Sequence, residues 1–106
     1  MSSTLKVSYL SEVVEGVTTI VHVKIINMTT AGGSSFYELM DEKGCRKIYY
    51  LHYSMGRGVA IGHCYVIRIR TTSLESGLHS QLSEFTVLYG STSGVLFRDP
   101  NPSDFE

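Results

Sequence analysis

The stretch FYELMDEKGCRKIYYL, residues 36–51, decides how the chain is read. Two apolar-rich runs flank Asp41-Glu42-Lys43-Gly44, with glycine where a tight turn needs a positive φ. That is a β-hairpin, and its second strand is dense in Arg46, Lys47, Tyr49 and Tyr50. Side chains of a strand alternate between faces, so Cys45, Lys47, Tyr49 and Leu51 share one face and Arg46, Ile48, Tyr50 and His52 the other. Placing Ile48 and Tyr50 in the core leaves Lys47, Tyr49 and Leu51 on the outer face.

Upstream of the hairpin, residues 17–28 form a long β-branched run in which Val17, Thr19, Val21, Val23 and Ile25 share a parity and Thr18, His22 and Lys24 take the other. This reads as one long, half-buried strand. The glycine-paired stretch TTAGGSS, residues 29–35, has loop chemistry. Downstream, residues 52–62 hold no helical period and contain Gly56, Gly58 and Gly62, so they read as a connector. Residues 63–70 make a fourth strand with Tyr65, Ile67 and Ile69 on one parity and Cys64, Val66, Arg68 and Arg70 on the other. TTSLESGLHSQLS, residues 71–83, is a long polar loop, and residues 84–89 close with a fifth strand. Five strands, two long loops and no substantial helix give an all-β fold, a five-stranded Greek-key barrel of the OB type, with an SH3-like barrel or small sandwich as alternatives.

With 106 residues the chain has room for one domain and one core. It splits into a barrel over residues 1–97 and an acidic, proline-containing tail over residues 98–106 that reads as a linker, as though the domain were excised from something longer. A hydrophobic share of 42% and a charged share of 18% mark a globular chain, and the formal net charge of −1 means that any binding of nucleic acid must rest on local cationic patches. No apolar run has the roughly 18 residues a membrane span needs. Cys45 and Cys64 are isolated and form no C-x-x-C, which suits free thiols in the nucleus or cytosol.

Catalysis finds little support. His22, His52, His63 and His79 lack metal-ligand spacing, so neither a metal nor another cofactor is expected. Neither cysteine carries a nucleophile signature, and Gly32-Gly33 and Gly56-Arg57-Gly58 lack the strand-to-helix setting of a phosphate loop. A binding face is the better candidate. Single strands lie in barrel grooves by stacking bases on rings and holding phosphates with Lys and Arg, and the expected face carries Lys47 and Tyr49, joined by Lys24, Arg57, Arg68 and Arg70.

Over residues 7–97 the chain resembles the OB-fold single-stranded-DNA-binding domains of the replication protein A large subunit. The likeness rests on an ordered set of segments: LKVSYL (residues 5–10) before TTIVHVKIINMT (18–29), then FYELMDEKGCRKIYYL, GHCYVIRIR (62–70) and SEFTVLYGSTSGVLF (83–97). The resemblance implies that Lys47 is the basic residue of the third strand and that Phe85 is one stacking ring. The second ring's position falls on Leu51, for which Tyr49 or Tyr53 would substitute, and a lysine of the last long loop falls near His79. The first long loop, TTAGGSS, has no arginine or lysine where that family commonly contacts phosphates.

These readings lead to one expectation and one alternative. The expectation is a non-catalytic module binding single-stranded DNA, with RNA as a second choice, in replication, repair, recombination or telomere maintenance. It would act in the nucleus, beside other subunits of an OB-fold complex and away from membranes. The alternative is an OB-fold protein-interaction module, suggested by the net charge and the uncharged first loop.

Overall fold

The computed structural model describes residues 6–31, 34–52, 58–72 and 80–91. A single 3₁₀ turn, Leu10–Glu12, precedes strands β1 (Thr19–Ala31), β2 (Ser34–Asp41), β3 (Arg46–His52), β4 (Cys64–Thr72) and β5 (Ser80–Ser91). The strands close in the order β1-β2-β3-β5-β4. Every neighbouring pair is antiparallel except β3 with β5, which is parallel. This is the five-stranded Greek-key barrel of the OB type that the strand count suggests.

Strand pairing shortens both long loops of the sequence reading. Residues 29–31 belong to β1 and residues 34–35 to β2, because Thr29↔Phe36, Thr30↔Ser35 and Ala31↔Ser34 continue the ladder. Residues 71–72 and 80–83 likewise extend β4 and β5, with Thr71↔Leu82 and Thr72↔Gln81 in register. Threonine favours strands, and cross-strand pairing carries the neighbouring serines and alanine into the ladder with it.

Inner-facing residues fill the barrel. Val21, Val23 and Ile25 from β1, Leu39 from β2, Leu51 from β3, Ile67 and Ile69 from β4 and Leu82 from β5 are buried together. Leu10 plugs one end. A register shift between Ile25 and Asn27 inserts one extra residue in β1, so that Met28 rather than Asn27 turns inward and packs on the core. On β4 the inner Tyr65 lies across from Gly90, where a Cβ would come within 2.8 Å of the tyrosine ring. Its hydroxyl accepts from the Ala60 N–H at 2.9 Å, which ties the connector to the barrel.

The hairpin itself is built around Asp41, only 1% exposed. Its carboxylate accepts the Lys43 N–H at 3.0 Å and the Cys45 N–H at 2.9 Å across the turn, and the Leu10 N–H at 2.8 Å from the plug. Gly44 takes φ +85°, as the turn demands. Outside this centre, the Tyr9 N–H donates to Glu12 at 2.7 Å, and Lys43 Nζ sits 4.4 Å from the centre of the Tyr9 ring. Turn and N-terminal plug thus meet on one buried anion.

Replacing Asp41 by alanine leaves one buried and two part-buried N–H donors without this acceptor, and hydrogen bonds to charged groups contribute about 1.5–3 kcal/mol each but are not additive. Asp41→Ala is therefore expected to lower unfolding stability in urea by about 2–4 kcal/mol. Asp41→Asn, which keeps one side-chain oxygen, should recover part of that loss. A midpoint unchanged in Asp41→Ala would refute the role assigned to this carboxylate.

Candidate functional site

Cross-strand pairing sorts the first three strands into inner and outer rows. Inward lie Ile25–Leu39–Lys47 and Met28–Tyr37–Tyr49, and outward lie Lys24–Met40–Arg46, Asn27–Glu38–Ile48 and Thr29–Phe36–Tyr50. The parity assigned from sequence to β3 is therefore inverted. Tyr49 is 4% exposed and Leu51 0%, both in the core, while Ile48 is 39% exposed and Arg46 and Tyr50 face outward with it. The physical reason is the partner strand: Tyr49 sits opposite the buried Tyr37, and Leu51 opposite the buried Ser35.

Lys47 shares the inward parity, opposite Leu39, and is nonetheless exposed. It borders a groove of about 400 Å³ between the N-terminal segment and β3, together with Arg46, Glu15 and Ser80. Phe85 also turns inward. It packs on the core edge to face with Tyr37, ring centres 5.9 Å apart, and so presents no open platform on the β2–β3 face.

The remaining candidates divide by position. Lys24 is half-buried on β1, at the start of the outer row that ends in Arg46. Arg68 and Arg70 lie on β4, which neighbours β1 and β5, so they do not join the β2–β3 face. Arg68 Nε is 2.7 Å from Glu84, and Arg70 Nε donates to the Ser83 hydroxyl at 3.2 Å. Tyr53, Arg57 and His79 lie outside the described residues.

What the structure does bring together is a set the sequence reading assigned elsewhere. Phe36 and Tyr50 stand edge to face on the outer side of the hairpin, with ring centres 5.4 Å apart and planes at 74°. The Tyr50 hydroxyl is hydrogen-bonded to the Ser34 hydroxyl, which fixes that ring. Toward the turn the same face carries Ile48, then the Glu38–Arg46 ion pair at 3.9 Å, with the arginine side chain 59% exposed. Such a surface pair is worth about 0–1 kcal/mol, so Arg46 can exchange it for a stronger anion. The face runs from an aromatic end to a cationic one.

A signal for this arrangement was present. Counting outward from the turn pairs Phe36 with Tyr50 and Glu38 with Ile48. A charged Glu38 turned to solvent would have carried Ile48 and Tyr50 outward with it.

The buried tyrosines show how dry the interior is. Burial, reinforced by the nearby Cys45 thiol, pushes the Tyr49 hydroxyl up from its ordinary 10.0 to about 12, and burial pushes Tyr37 up as well. Burial likewise raises the Cys64 thiol, with Lys24 pulling in the opposite direction. Among the described residues no three His, Cys, Asp or Glu side chains gather into a metal site, and no helix is long and apolar enough to cross a membrane. No protein-family model, no curated protein and no solved structure matches this chain.

The Tyr49 shift has a measurable consequence. The folded chain holds this proton where the unfolded chain releases it, so the stabilisation is complete below pH 10 and is lost as pH rises toward about 12. Urea midpoints should fall through that window, and Tyr49→Phe should flatten the fall relative to the parent. An equally steep fall in Tyr49→Phe would show that Tyr49 does not contribute.

Proposed function

We infer that this chain is a non-catalytic OB module that binds single-stranded nucleic acid, DNA before RNA, across the outer face of β1, β2 and β3. The observation that carries this reading is the outward Phe36–Tyr50 pair on the strands an OB barrel uses for oligonucleotides, with Arg46 at the other end of the same face. Base stacking on a ring is tolerant of sequence, and an arginine in a weak surface pair supplies the phosphate contact. With a net charge of −1 the protein offers little long-range attraction, so affinity has to come from this patch or from neighbouring modules acting together. The ordered resemblance to replication protein A domains supports a role in replication, repair, recombination or telomere maintenance, within a nuclear complex of OB subunits.

A second reading is favoured by one observation. Ile48 stands exposed at the centre of the face beside Glu38, an apolar and acidic pair that suits a protein surface better than a phosphate backbone. In that case the same face docks another subunit.

Fluorescence anisotropy with a labelled oligo-dT of about 20–30 nucleotides, at low and moderate salt, separates the two, since single-strand grooves bind with a strong salt dependence. Binding should weaken with salt. Tyr50→Leu should cost roughly 1–3 kcal/mol, or about 5- to 150-fold in affinity, while Tyr50→Phe keeps the ring and most of the binding. Arg46→Ala should reduce the salt slope by about one contact, and Arg68→Ala should leave binding unchanged. No binding at high micromolar protein in low salt would sink the nucleic-acid reading and leave the protein-docking one.

A further inference from the structure

The middle row of the outer face carries a hydrogen-bonding pattern that ring stacking leaves unused. Asn27 on β1, Glu38 on β2 and Ile48 on β3 stand directly opposite one another in register. The Met28 N–H donates to the side-chain oxygen of the exposed Asn27 at 2.9 Å, and the NH₂ end of that carboxamide carries its donors. Glu38 is an acceptor with two oxygens, its side chain 25% exposed, and its contact with Arg46 at 3.9 Å is longer than a hydrogen bond. Directly opposed side chains on a sheet lie about 4.5–5.5 Å apart, and a diagonal such as that from Glu38 to Tyr50 spans about 7–8 Å, within reach of long side chains. A base stacked on the Phe36–Tyr50 pair can thus turn its edge to Asn27 and Glu38, over the apolar floor of Ile48.

We propose that Asn27 and Glu38 select guanine at one position of a bound single strand, an inference that rests on the nucleic-acid reading of this face. Across the strands the pair offers a donor from Asn27 and then two acceptors from Glu38. The Watson–Crick edge of guanine is the complement, since O6 accepts and both N1–H and N2–H₂ donate. Thymine matches the first two groups and fails at the third, where its O2 carbonyl meets the second carboxylate oxygen. Cytosine and adenine fail at the centre in either orientation, because their ring acceptors N3 and N1 stand against the carboxylate. A site that holds a polar group ready for a partner discriminates against a base that leaves it unpaired. The loose Arg46 contact works in the same direction: once Arg46 turns to a phosphate, the half-buried Glu38 carboxylate needs donors, and guanine supplies two. Stacking on the rings stays tolerant of sequence, and the preference is added by Glu38.

The test uses the full chain and labelled oligonucleotides of about 20–30 nucleotides, oligo-dT beside strands that alternate dT with dG, dC, dA or deoxyinosine, read by fluorescence anisotropy in a lithium buffer that keeps guanine strands unfolded. The dT-dG strand should bind about tenfold or more tightly than oligo-dT. Deoxyinosine lacks only the N2 amino group of guanine, and its strand should lose most of that gain. Glu38→Gln keeps the shape of the side chain and sets a donor where an acceptor stood. It should bring the dT-dG strand down to the oligo-dT level without weakening oligo-dT, and because Glu38 lies on the outer face the core stays intact. Equal affinity for all five oligonucleotides, a preference for the cytosine or adenine strand, full affinity for the inosine strand, or a guanine preference that survives Glu38→Gln would each overturn the proposal and leave the nucleic-acid reading standing. No binding of any oligonucleotide would remove both.

Discussion

A carboxylate with almost no exposure to water must be satisfied by the protein, and Asp41 is satisfied by backbone alone. It accepts N–H groups from the turn at Lys43 and Cys45 and from Leu10, which is far away in the chain. Charge-assisted bonds of this kind are strong and directional. Together they set the geometry of the β2–β3 turn and dock the N-terminal segment, through Leu10, against that turn. Since the turn sets the register, and the register sets which side chains face in, the identity of both surfaces of the hairpin follows from this one anion.

From that register the rest of the sheet is ordered. The extra residue at the Ile25/Asn27 shift in β1 keeps Met28 inside after the strand has bent, and the bend lets the ribbon of β1 and β2 run on to Ala31 and Ser34. The inner rows close over Leu39, Tyr37 and Tyr49, and the outer rows are left to Arg46, Ile48 and Tyr50. The barrel closes through the parallel pairing of β3 with β5 at Tyr49↔Ser80 and Tyr50↔Gln81. A barrel built this way presents one continuous outer face on the hairpin, which runs from Phe36 and Tyr50 to Arg46.

That placement matters for function because overall charge is nearly neutral. A basic protein attracts nucleic acid over a distance, whereas this chain can act only where its few cations are placed. Arg68 is held by Glu84 on a different wall, while Arg46 is only loosely held by Glu38. Local pairing, not the number of cations, decides which of them a ligand can use.

The sequence alone carried the all-β class, the five strands, the hairpin turn at Asp41-Glu42-Lys43-Gly44 and the inward parity of Val21, Val23 and Ile25, because β-branched alternation and turn chemistry are local signals. The facing of β3 was not legible in β3 itself. Both parities of Arg46-Lys47-Ile48-Tyr49-Tyr50-Leu51 mix apolar and cationic residues, so only the strand across the turn, with Glu38 opposite Ile48, separates them. Tertiary structure decided it through pairing with β2, which buries Tyr49 and Leu51 and turns Tyr50 outward beside Phe36. Phe85 followed the same logic, an aromatic that sequence offered as a platform and that packing drew inward against Tyr37. A ring is equally at home in a core or on a binding face, and only the strand opposite it determines which.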